Sequence, residues 1–144
     1  MPNIMDSGFK AISILYRKSH IWLNEGCAQY SLTAAQALVI SIVCDFGMLT
    51  QDGITKRLGL DKSVVAKTVL KLEETGYMTR TKNAKDKRTY DIQPTNKALA
   101  VYPSVKKEVD ICFQRMTETM TTSGRDDFKR LLLVAANLAV ELDD

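Results

Sequence analysis

The stretch that decides the fold, residues 50–95, reads TQDGITKRLGLDKSVVAKTVLKLEETGYMTRTKNAKDKRTYDIQPT. Two short helical patterns in it are separated by Leu58-Gly59-Leu60, and the second pattern runs to Gly76. Beyond Gly76 lie two segments in which apolar and polar residues alternate, joined by a polar, charged loop. This order predicts a helix-turn-helix followed by a two-stranded β-wing.

Cap signals define the two helices of the motif. Thr50 is expected to cap the first, with Asp52 in its first turn, and that helix should end at about Leu58. Asp61 is expected to cap the second helix. Its buried stripe comprises Val65, Val69 and Leu72. The residues off this stripe, which we expect to face outward, are Lys62, Ser63, Ala66, Lys67 and Lys71.

The wing is predicted as an antiparallel pair of strands at residues 77–81 and 89–93. Pro94 should end the second strand because it has no N–H for a ladder, and Thr95 can cap the helix that follows. The loop between the strands is too polar for a core and rich in positive charge. Its charged residues are Lys82, Lys85, Asp86, Lys87 and Arg88.

Two helices are predicted before the motif. Residues 6–29 carry apolar side chains at helical spacing on more than one side, which favours packing against a second chain. Thr33 and Gln36 have the spacing of a capping box, so the next helix should start at Ala34 and end near Gly47. Residues 48–49 are expected to form a very short strand that pairs with the wing.

Two more helices are predicted after it. The first covers residues 96–121, with a kink or break expected near Tyr102 because Pro103 lies inside the pattern. Ser123 and Gly124 should separate it from a last helix over residues 125–142. The apolar face of that helix is formed by Phe128, Leu131, Leu132, Ala135, Leu138 and Leu142.

The flanking helices hold more apolar surface than a winged module can cover, which favours a homodimer. The fold class predicted is therefore mostly α with a small β-wing. We expect one domain over residues 1–144, with a winged helix-turn-helix DNA-binding lobe at residues 33–95. The helical dimerisation region would comprise residues 1–30 and 96–144.

Composition narrows the classes of protein that fit. Hydrophobic residues are 45% and charged residues 26%, as in ordinary globular chains. No apolar run approaches the roughly 20 residues that span a bilayer, and residues 1–6 lack a signal-peptide pattern, so a cytoplasmic protein without a membrane partner is expected. Three scattered cysteines and the single His20 have no metal-ligand spacing. No metal, cofactor or catalytic residue is predicted, and nothing favours an enzyme.

The distribution of charge points to nucleic acid more strongly than the net charge of +3 does. Residues 56–90 contain ten Lys and Arg against four Asp and Glu, a local net charge of +6. Residues 100–144 contain six against eight, a local −2. Positive charge is thus concentrated on the winged motif, as is typical of a phosphate-binding surface.

Several of these positions together resemble the MarR family of bacterial transcription regulators over nearly the full chain. The Asp86-Lys87-Arg88 sequence in the wing is the most specific part of the resemblance. The other matching positions are Leu32-Thr33 with Gln36, Ile54 with Leu58-Gly59-Leu60, Lys62-Ser63-Val64-Val65, and Leu72-Glu73 with Gly76.

The resemblance implies a homodimer that binds palindromic double-stranded operators, usually as a repressor, and releases them on binding a small molecule or on cysteine oxidation. It places the recognition helix, with Lys62, Ser63, Ala66 and Lys67, in the major groove. It places Arg88 in the minor groove, with its guanidinium held by Asp86. Lys82, Lys85 and Lys87 in the wing would add sequence-independent attraction to phosphates, and Lys71 is a further outward residue of the helix that could enter a groove.

The chain departs from the family pattern at three places. Gly53-Ile54-Thr55 replaces the usual acidic or polar residue followed by Leu-Ala, and glycine weakens a helix by up to about 1 kcal/mol relative to alanine. Residues 94–98 replace the usual Leu-Thr-x-x-Gly. Ala66 stands where a hydrogen-bonding Ser or Thr is common, which removes one possible base contact.

The effector is the least specified part of this interpretation. The resemblance implies a cleft between the dimerisation helices and the DNA-binding lobe, and the candidate lining residues are Tyr16, His20, Trp22 and Tyr30. One alternative is a redox-sensing regulator, although Cys27 lies at the wrong end of the first helix for it. Another is a winged-helix module that binds protein, which would not need the five bases between Arg80 and Arg88.

Overall fold

The computed structural model of the protein describes residues 7–143 and has the predicted mostly helical fold with a small β-wing. In chain order, its helices and strands are α1 Gly8–Cys27, α2 Ala34–Phe46, β1 Leu49–Thr50, α3 Gln51–Leu58, α4 Lys62–Glu74, β2 Met78–Lys82, β3 Tyr90–Pro94, α5 Asn96–Met116 and α6 Thr122–Val140. Short 3-10 helices follow α1 at Ala28–Tyr30 and α6 at Glu141–Asp143. The predicted helix start at residue 6, the signal-peptide expectation on residues 1–6 and the domain end at residue 144 lie outside the described residues.

The three strands form one antiparallel sheet in the order β1-β3-β2. The short strand expected to pair with the wing is present one residue later than predicted, with Leu49 opposite Ile92. Both wing strands also start one residue later. The N–H of Tyr77 donates to the Leu72 carbonyl at 2.8 Å, and the N–H of Thr89 donates to the Asp86 carbonyl within the loop at 3.1 Å, so only the carbonyls of these two residues accept from the opposite segment.

Helix α2 lies at the centre of the core, with Val39, Ile40 and Val43 fully buried. Its start is the predicted capping box: the Thr33 hydroxyl accepts from Gln36 N–H at 3.2 Å, and the Gln36 side-chain oxygen accepts from Thr33 N–H at 3.0 Å. These bonds satisfy two donors that a helix start leaves open. The buried residues packed with α2 include Ile54, Val65, Val69, Leu72, Ile92 and Val105.

A cluster of polar contacts joins the end of α4 to the start of α5. The Thr95 hydroxyl accepts from Ala98 N–H at 3.4 Å and donates to the Gly76 carbonyl at 2.6 Å. Lys97 Nζ donates to the Thr75 carbonyl at 2.7 Å and lies 4.3 Å from the centre of the Tyr77 ring. The departure from the family pattern at residues 94–98 therefore keeps a capped helix start.

The structure decides two expectations about the C-terminal helices. Of the kink or break expected near Tyr102, the break is absent, because α5 is a single helical element from Asn96 to Met116 with Pro103 inside it. Helix α6 begins at Thr122 because the Thr121 hydroxyl accepts from Gly124 N–H at 2.9 Å. Ser123 and Gly124 thus lie in its first turn instead of separating the helices. The separation falls at residues 117–121, where Thr117 donates to the Phe113 carbonyl at 2.8 Å.

Helices α5 and α6 differ in how they pack within the protomer. Tyr102 of α5 donates a hydrogen bond to Asp45 at the end of α2, while Phe128 of α6 stacks on Phe113 at 6.1 Å between ring centres. None of the residues of α6 is buried. Its exposed apolar side chains are Leu131, Leu132, Leu133, Val134, Leu138 and Val140.

Among residues 7–143, no single helix is long and apolar enough to cross a membrane. The segments 8–30 and 34–46 reach that length and composition only together, and they are bent by 80° relative to each other.

Candidate nucleic-acid interface and effector cavity

Helix α4 has one buried face and one exposed basic face, as its sequence predicts. Val65, Val69 and Leu72 are fully buried. Of the five residues expected to face outward, Ala66 is half-buried and the other four are exposed: Lys62, Ser63, Lys67 and Lys71. The cations and the hydroxyl are therefore available to a partner, with two of the cations and the serine in the first turns of the helix.

The turn before α4 sets the direction of this helix. Gly59 ends α3 with φ +63°, a left-handed conformation in which a side chain would be strained, and its N–H donates to the Thr55 carbonyl at 2.9 Å. Asp61 occupies the N-cap position of α4, but its side chain makes no cap hydrogen bond. The prediction that Asp61 caps α4 is thus right for the position and wrong for the side-chain bond.

The base of the wing is attached to α4 by an ion pair. Arg80 on β2 lies 3.8 Å from the Glu73 carboxylate on α4, and its guanidinium lies 4.3 Å from the centre of the Tyr90 ring on β3. Arg80 thereby contacts the helix and both wing strands. These contacts join the wing to α4.

The tip of the wing is ordered by Asn83. Its side-chain oxygen accepts from the N–H groups of Lys85 and Asp86 at 2.9 and 3.0 Å, and its side-chain nitrogen donates to Asp91 at 2.8 Å. The Asn83 N–H also donates to the Thr89 carbonyl at 3.0 Å. One side chain therefore joins the loop to itself and to β3.

Asp86 and Arg88 form the ion pair that the family resemblance implies. Arg88 Nε lies 3.1 Å from one Asp86 oxygen, and the terminal nitrogen lies 3.4 Å from the other. The Arg88 N–H also donates to Asp86 at 3.1 Å. These hydrogen bonds from Arg88 hold the pKa of the Asp86 carboxyl below its ordinary value. The hydrogen bonds to Asp86 orient the Arg88 guanidinium, and the side chain remains accessible because it is 92% exposed.

The other predicted bases of the wing are all exposed; they are Lys82, Lys85 and Lys87. Lys82 belongs to β2, where it lies opposite Tyr90, and the other two belong to the loop.

Sequence reasoning missed the positioning roles of Asn83 and Arg80. Asn83 carried a usable signal, since asparagine side chains often bond backbone N–H groups two and three residues on.

A half-open apolar cavity of about 170 Å³ lies between α1, α2 and α5. Of the four predicted effector residues, His20 and Trp22 line it, and Tyr16 and Tyr30 do not. The Tyr16 ring packs on His20 at 4.1 Å between centres, and the Tyr30 carbonyl accepts from Tyr77. The remaining lining residues are Ser19, Leu23, Leu38, Glu108, Val109, Cys112, Phe113 and Met116.

The three cysteines are free thiols with raised pKa values. Burial is the main cause at each, with a second contribution from the Glu108 carboxylate at Cys27 and Cys112 and from Asp45 at Cys44. The pKa of Cys44 rises to about 11. The reactive thiolate is therefore disfavoured at neutral pH. Within residues 7–143, no group of three or more His, Cys, Asp or Glu side chains could hold a metal ion.

Comparison with known protein families gives a match over the winged lobe. A model of the MarR family matches residues 32–90, which confirms the predicted family resemblance. That family consists of transcription regulators and not of enzymes. No curated protein matches the chain by sequence.

Solved structures show the same fold over almost the whole chain. A MarR transcriptional regulator from Methanosarcina mazei Go1 is 23% identical, with a TM-score of 0.84, and the match covers 92% of this chain and 96% of that one. A MarR protein from Peptoclostridium difficile is 20% identical, with a TM-score of 0.87 and coverage of 97% and 92%. A mutant of E. coli MarR complexed with operator DNA is 22% identical, with a TM-score of 0.78 and coverage of 92% and 96%.

Proposed function

We propose that this chain, whose residues 32–90 match the model of the MarR family, is a cytoplasmic, homodimeric, DNA-binding transcription regulator: a repressor that a small-molecule effector releases from a palindromic operator. One observation carries this proposal. The exposed cations of α4 and of the wing belong to one lobe, in which an ion pair between Glu73 and Arg80 fixes the wing against the helix. A similar fold is known in complex with operator DNA.

Helix α4 would enter the major groove with its N-terminal turns toward the bases. Lys62 and Lys67 would reach guanine acceptors or phosphates, and Ser63 would donate to a phosphate or a base. Ala66, which has no hydrogen-bonding atom in its side chain, would contact a thymine methyl group. Specificity for the operator sequence would thus depend on a few hydrogen bonds to bases and on the shape of the DNA.

The wing would contact the adjacent minor groove through Arg88. A guanidinium is attracted to the strong negative potential of a narrow, A·T-rich minor groove. Asp86 would hold that guanidinium in one orientation, which reduces the side-chain entropy lost on binding. The phosphate contacts that carry no sequence information would come from Lys71, Lys82, Lys85 and Lys87.

The dimer interface would be formed by α1, α5 and α6. Phe9 and Ile12 of α1 are 79% and 61% exposed in the protomer, and Leu138 of α6 is 62% exposed. Such a concentration of large apolar side chains is unusual on a monomer and typical of an interface. A second copy of the chain is the partner that would cover it symmetrically and place two α4 helices about one helical turn of DNA apart.

The cavity between α1, α2 and α5 would hold the effector. It lies where α1 and α5 meet α2. In the proposed dimer, α1 and α5 would belong to the dimerisation region and α2 to the DNA-binding lobe. A ligand bound there would release DNA only if it favoured a spacing of the two α4 helices that does not fit the operator.

In vitro selection from a random duplex library tests this function and identifies the operator sequence in the same experiment. We expect enrichment of a palindrome whose half-sites lie about one helical turn apart, with A·T-rich positions where the wings lie. Enrichment of a single half-site would contradict the dimeric mode. No enrichment above the starting library would contradict sequence-specific DNA binding.

A further inference from the structure

The wall of the α1/α2/α5 cavity is almost entirely apolar. Leu23 and Leu38 line one part of it, and Phe113 and Met116 of α5 line another. Its volume of about 170 Å³ is close to that of an engineered apolar cavity, about 150 Å³, that binds benzene. A single ring with a short substituent is therefore the size of ligand that fits.

Two sulfur atoms in the wall favour an aromatic ring over an aliphatic one. Cys112 and Met116 both line the cavity, and the Cys112 thiol donates to the Met116 sulfur at 3.6 Å. Sulfur is polarisable and makes favourable contacts with aromatic rings, often at the ring edge. The wall thus offers these sulfurs and the Phe113 ring to the ring of a ligand.

One lining residue has a hydrogen-bond donor without a partner. Among residues 7–143, four buried side-chain nitrogen or oxygen atoms have no hydrogen-bond partner, and of the residues that carry them only Trp22 lines the cavity. The atom is Nε1 of the indole ring, which donates and does not accept. A buried N–H without an acceptor costs free energy, and an acceptor on a ligand would recover it.

The other polar side chains of the wall are already held by the protein. The Ser19 hydroxyl donates to the Tyr16 carbonyl at 2.9 Å, and His20 Nδ1 lies 3.0 Å from the same oxygen. The Glu108 carboxylate lies between α1 and α5 against Gly26, where an added Cβ would be 2.7 Å from Oε2. The indole N–H is therefore the polar group that a ligand in this cavity would satisfy.

Neither charge is favoured on such a ligand. Arg115 lies 5.9 Å from the centre of the Trp22 ring, but it does not line the cavity and is paired with Glu118 at 3.7 Å. A carboxylate would therefore lose its water without gaining a cation in the wall. An ammonium group would likewise exchange water for a wall that is almost entirely apolar.

We infer that the cavity binds a neutral molecule with one aromatic ring and one hydrogen-bond acceptor, whose oxygen accepts from the Trp22 indole N–H and whose ring packs against Leu38 and Phe113. Burial of the ring supplies most of the affinity, and the hydrogen bond selects ligands that carry an acceptor. The regulatory meaning of this ligand rests on the proposed function, in which the cavity is the effector site.

Trp22 is the only tryptophan in the chain, so its indole N–H gives a single peak in a nitrogen–proton NMR spectrum. The full chain is titrated with four probes of similar size: acetophenone, which has one acceptor oxygen, ethylbenzene, which has none, and the charged probes benzoate and benzylammonium. We expect acetophenone to move the indole proton downfield, because a hydrogen bond deshields it, and ethylbenzene to bind without that shift. The charged probes should bind at least about tenfold more weakly than acetophenone.

Two variants, compared by calorimetry, assign the preference to this N–H. Trp22→Phe keeps an aromatic ring and removes the donor, so the affinity for acetophenone relative to ethylbenzene should fall about tenfold. Ethylbenzene should still bind, which shows that the cavity is intact in that variant. Ser19→Ala is the matched control, because it removes a lining hydroxyl that already donates to the Tyr16 carbonyl, and it should keep the wild-type ratio.

An indole proton that acetophenone does not move downfield, tighter binding of either charged probe, or a wild-type affinity ratio in Trp22→Phe would each overturn the inference. These titrations contain no DNA. The indole shift would therefore support the ligand class even in a protein that binds no operator, so the two proposals fail in different measurements.

Discussion

The Asp86 carboxylate holds the guanidinium of Arg88 through two hydrogen bonds, of 3.1 and 3.4 Å, although the Arg88 side chain is 92% exposed to solvent. An isolated ion pair at such an exposed position contributes little to folding stability. The ion pair instead orients the Arg88 guanidinium, because an exposed arginine side chain otherwise samples many rotamers. The pair is therefore best understood as preparation of one side chain for an external partner.

Arg88→Ala should weaken binding of the selected operator by about 1 to 3 kcal/mol while leaving dimerisation unchanged. Lys85→Ala is the matched control, because it removes an exposed cation from the same loop. It should weaken operator and scrambled DNA alike and lower the salt slope by about one. Anisotropy titrations of both variants measure these effects. An unchanged operator affinity in Arg88→Ala would remove this residue from the interface.

The Asp86 carboxyl should titrate below its ordinary pKa of 3.8 in the folded protein. Since the folded pKa lies below the unfolded one, the stabilisation from this pair is fully present above the unfolded value and is lost as the pH falls through the folded value. NMR titration of the side-chain carboxyl carbon measures the midpoint. In Arg88→Ala the midpoint should rise toward the ordinary pKa without reaching it, because the side-chain hydrogen bonds are lost while the N–H of residue 88 still donates to Asp86. An unchanged low midpoint in that variant would show that the Arg88 side chain is not a cause.

Asn83→Ala should loosen the wing, because the backbone N–H groups of Lys85 and Asp86 lose their acceptor. We expect faster hydrogen exchange at these amides and a severalfold loss of operator affinity. Thr81→Ala, at an exposed position on the neighbouring strand, serves as the control and should change neither quantity. Wild-type exchange rates in Asn83→Ala would contradict the ordering role of this side chain.

Leu138→Asp should dissociate the proposed dimer, because it places a charge on an apolar side chain that α6 exposes in the protomer. Leu70→Asp is the control, since Leu70 is 44% exposed but lies on α4, outside the proposed interface. Sedimentation velocity across a concentration series measures the dissociation constant. We expect a rise of at least about tenfold for Leu138→Asp and none for Leu70→Asp. Wild-type association of Leu138→Asp would argue against an interface at α6.

Peroxide should leave operator affinity unchanged. Burial raises the pKa of all three thiols, so little thiolate is present at neutral pH to react. The measurement is an anisotropy titration before and after peroxide treatment, with the free thiols counted in parallel. Release of DNA that a reductant reverses would instead favour the redox-sensing alternative.

Most of the fold could be predicted from short-range signals. The capping box at Thr33 and Gln36, the cap at Thr50 and the turn at Gly59 each depend on residues within four positions, so the sequence contains the whole interaction. The start of α6 was misplaced because Gly124 was taken as a helix breaker. Its N–H instead supplies the cap bond to Thr121, and a cap of this kind tolerates glycine in the first turn.

The sites were less predictable because they depend on contacts between distant segments. The outward face of α4 followed from its helical period, but the attachment of the wing through Glu73 and Arg80 did not. Likewise, helical spacing in α1 does not show where α5 leaves space beside it. For that reason His20 and Trp22 line the cavity, whereas Tyr16 and Tyr30, equally aromatic, do not.

Sequence-specific DNA binding can be measured by fluorescence anisotropy over a salt series, with the DNA upstream of the protein's own gene and a scrambled duplex. We expect tighter binding to the upstream duplex than to the scrambled one, with log K falling steeply as log salt rises, because several lysines and Arg88 displace counterions from phosphates. Equal, weak binding to both duplexes, together with equally weak binding to the sequence selected from the random library, would contradict sequence-specific DNA binding. It would favour a winged-helix module that binds protein.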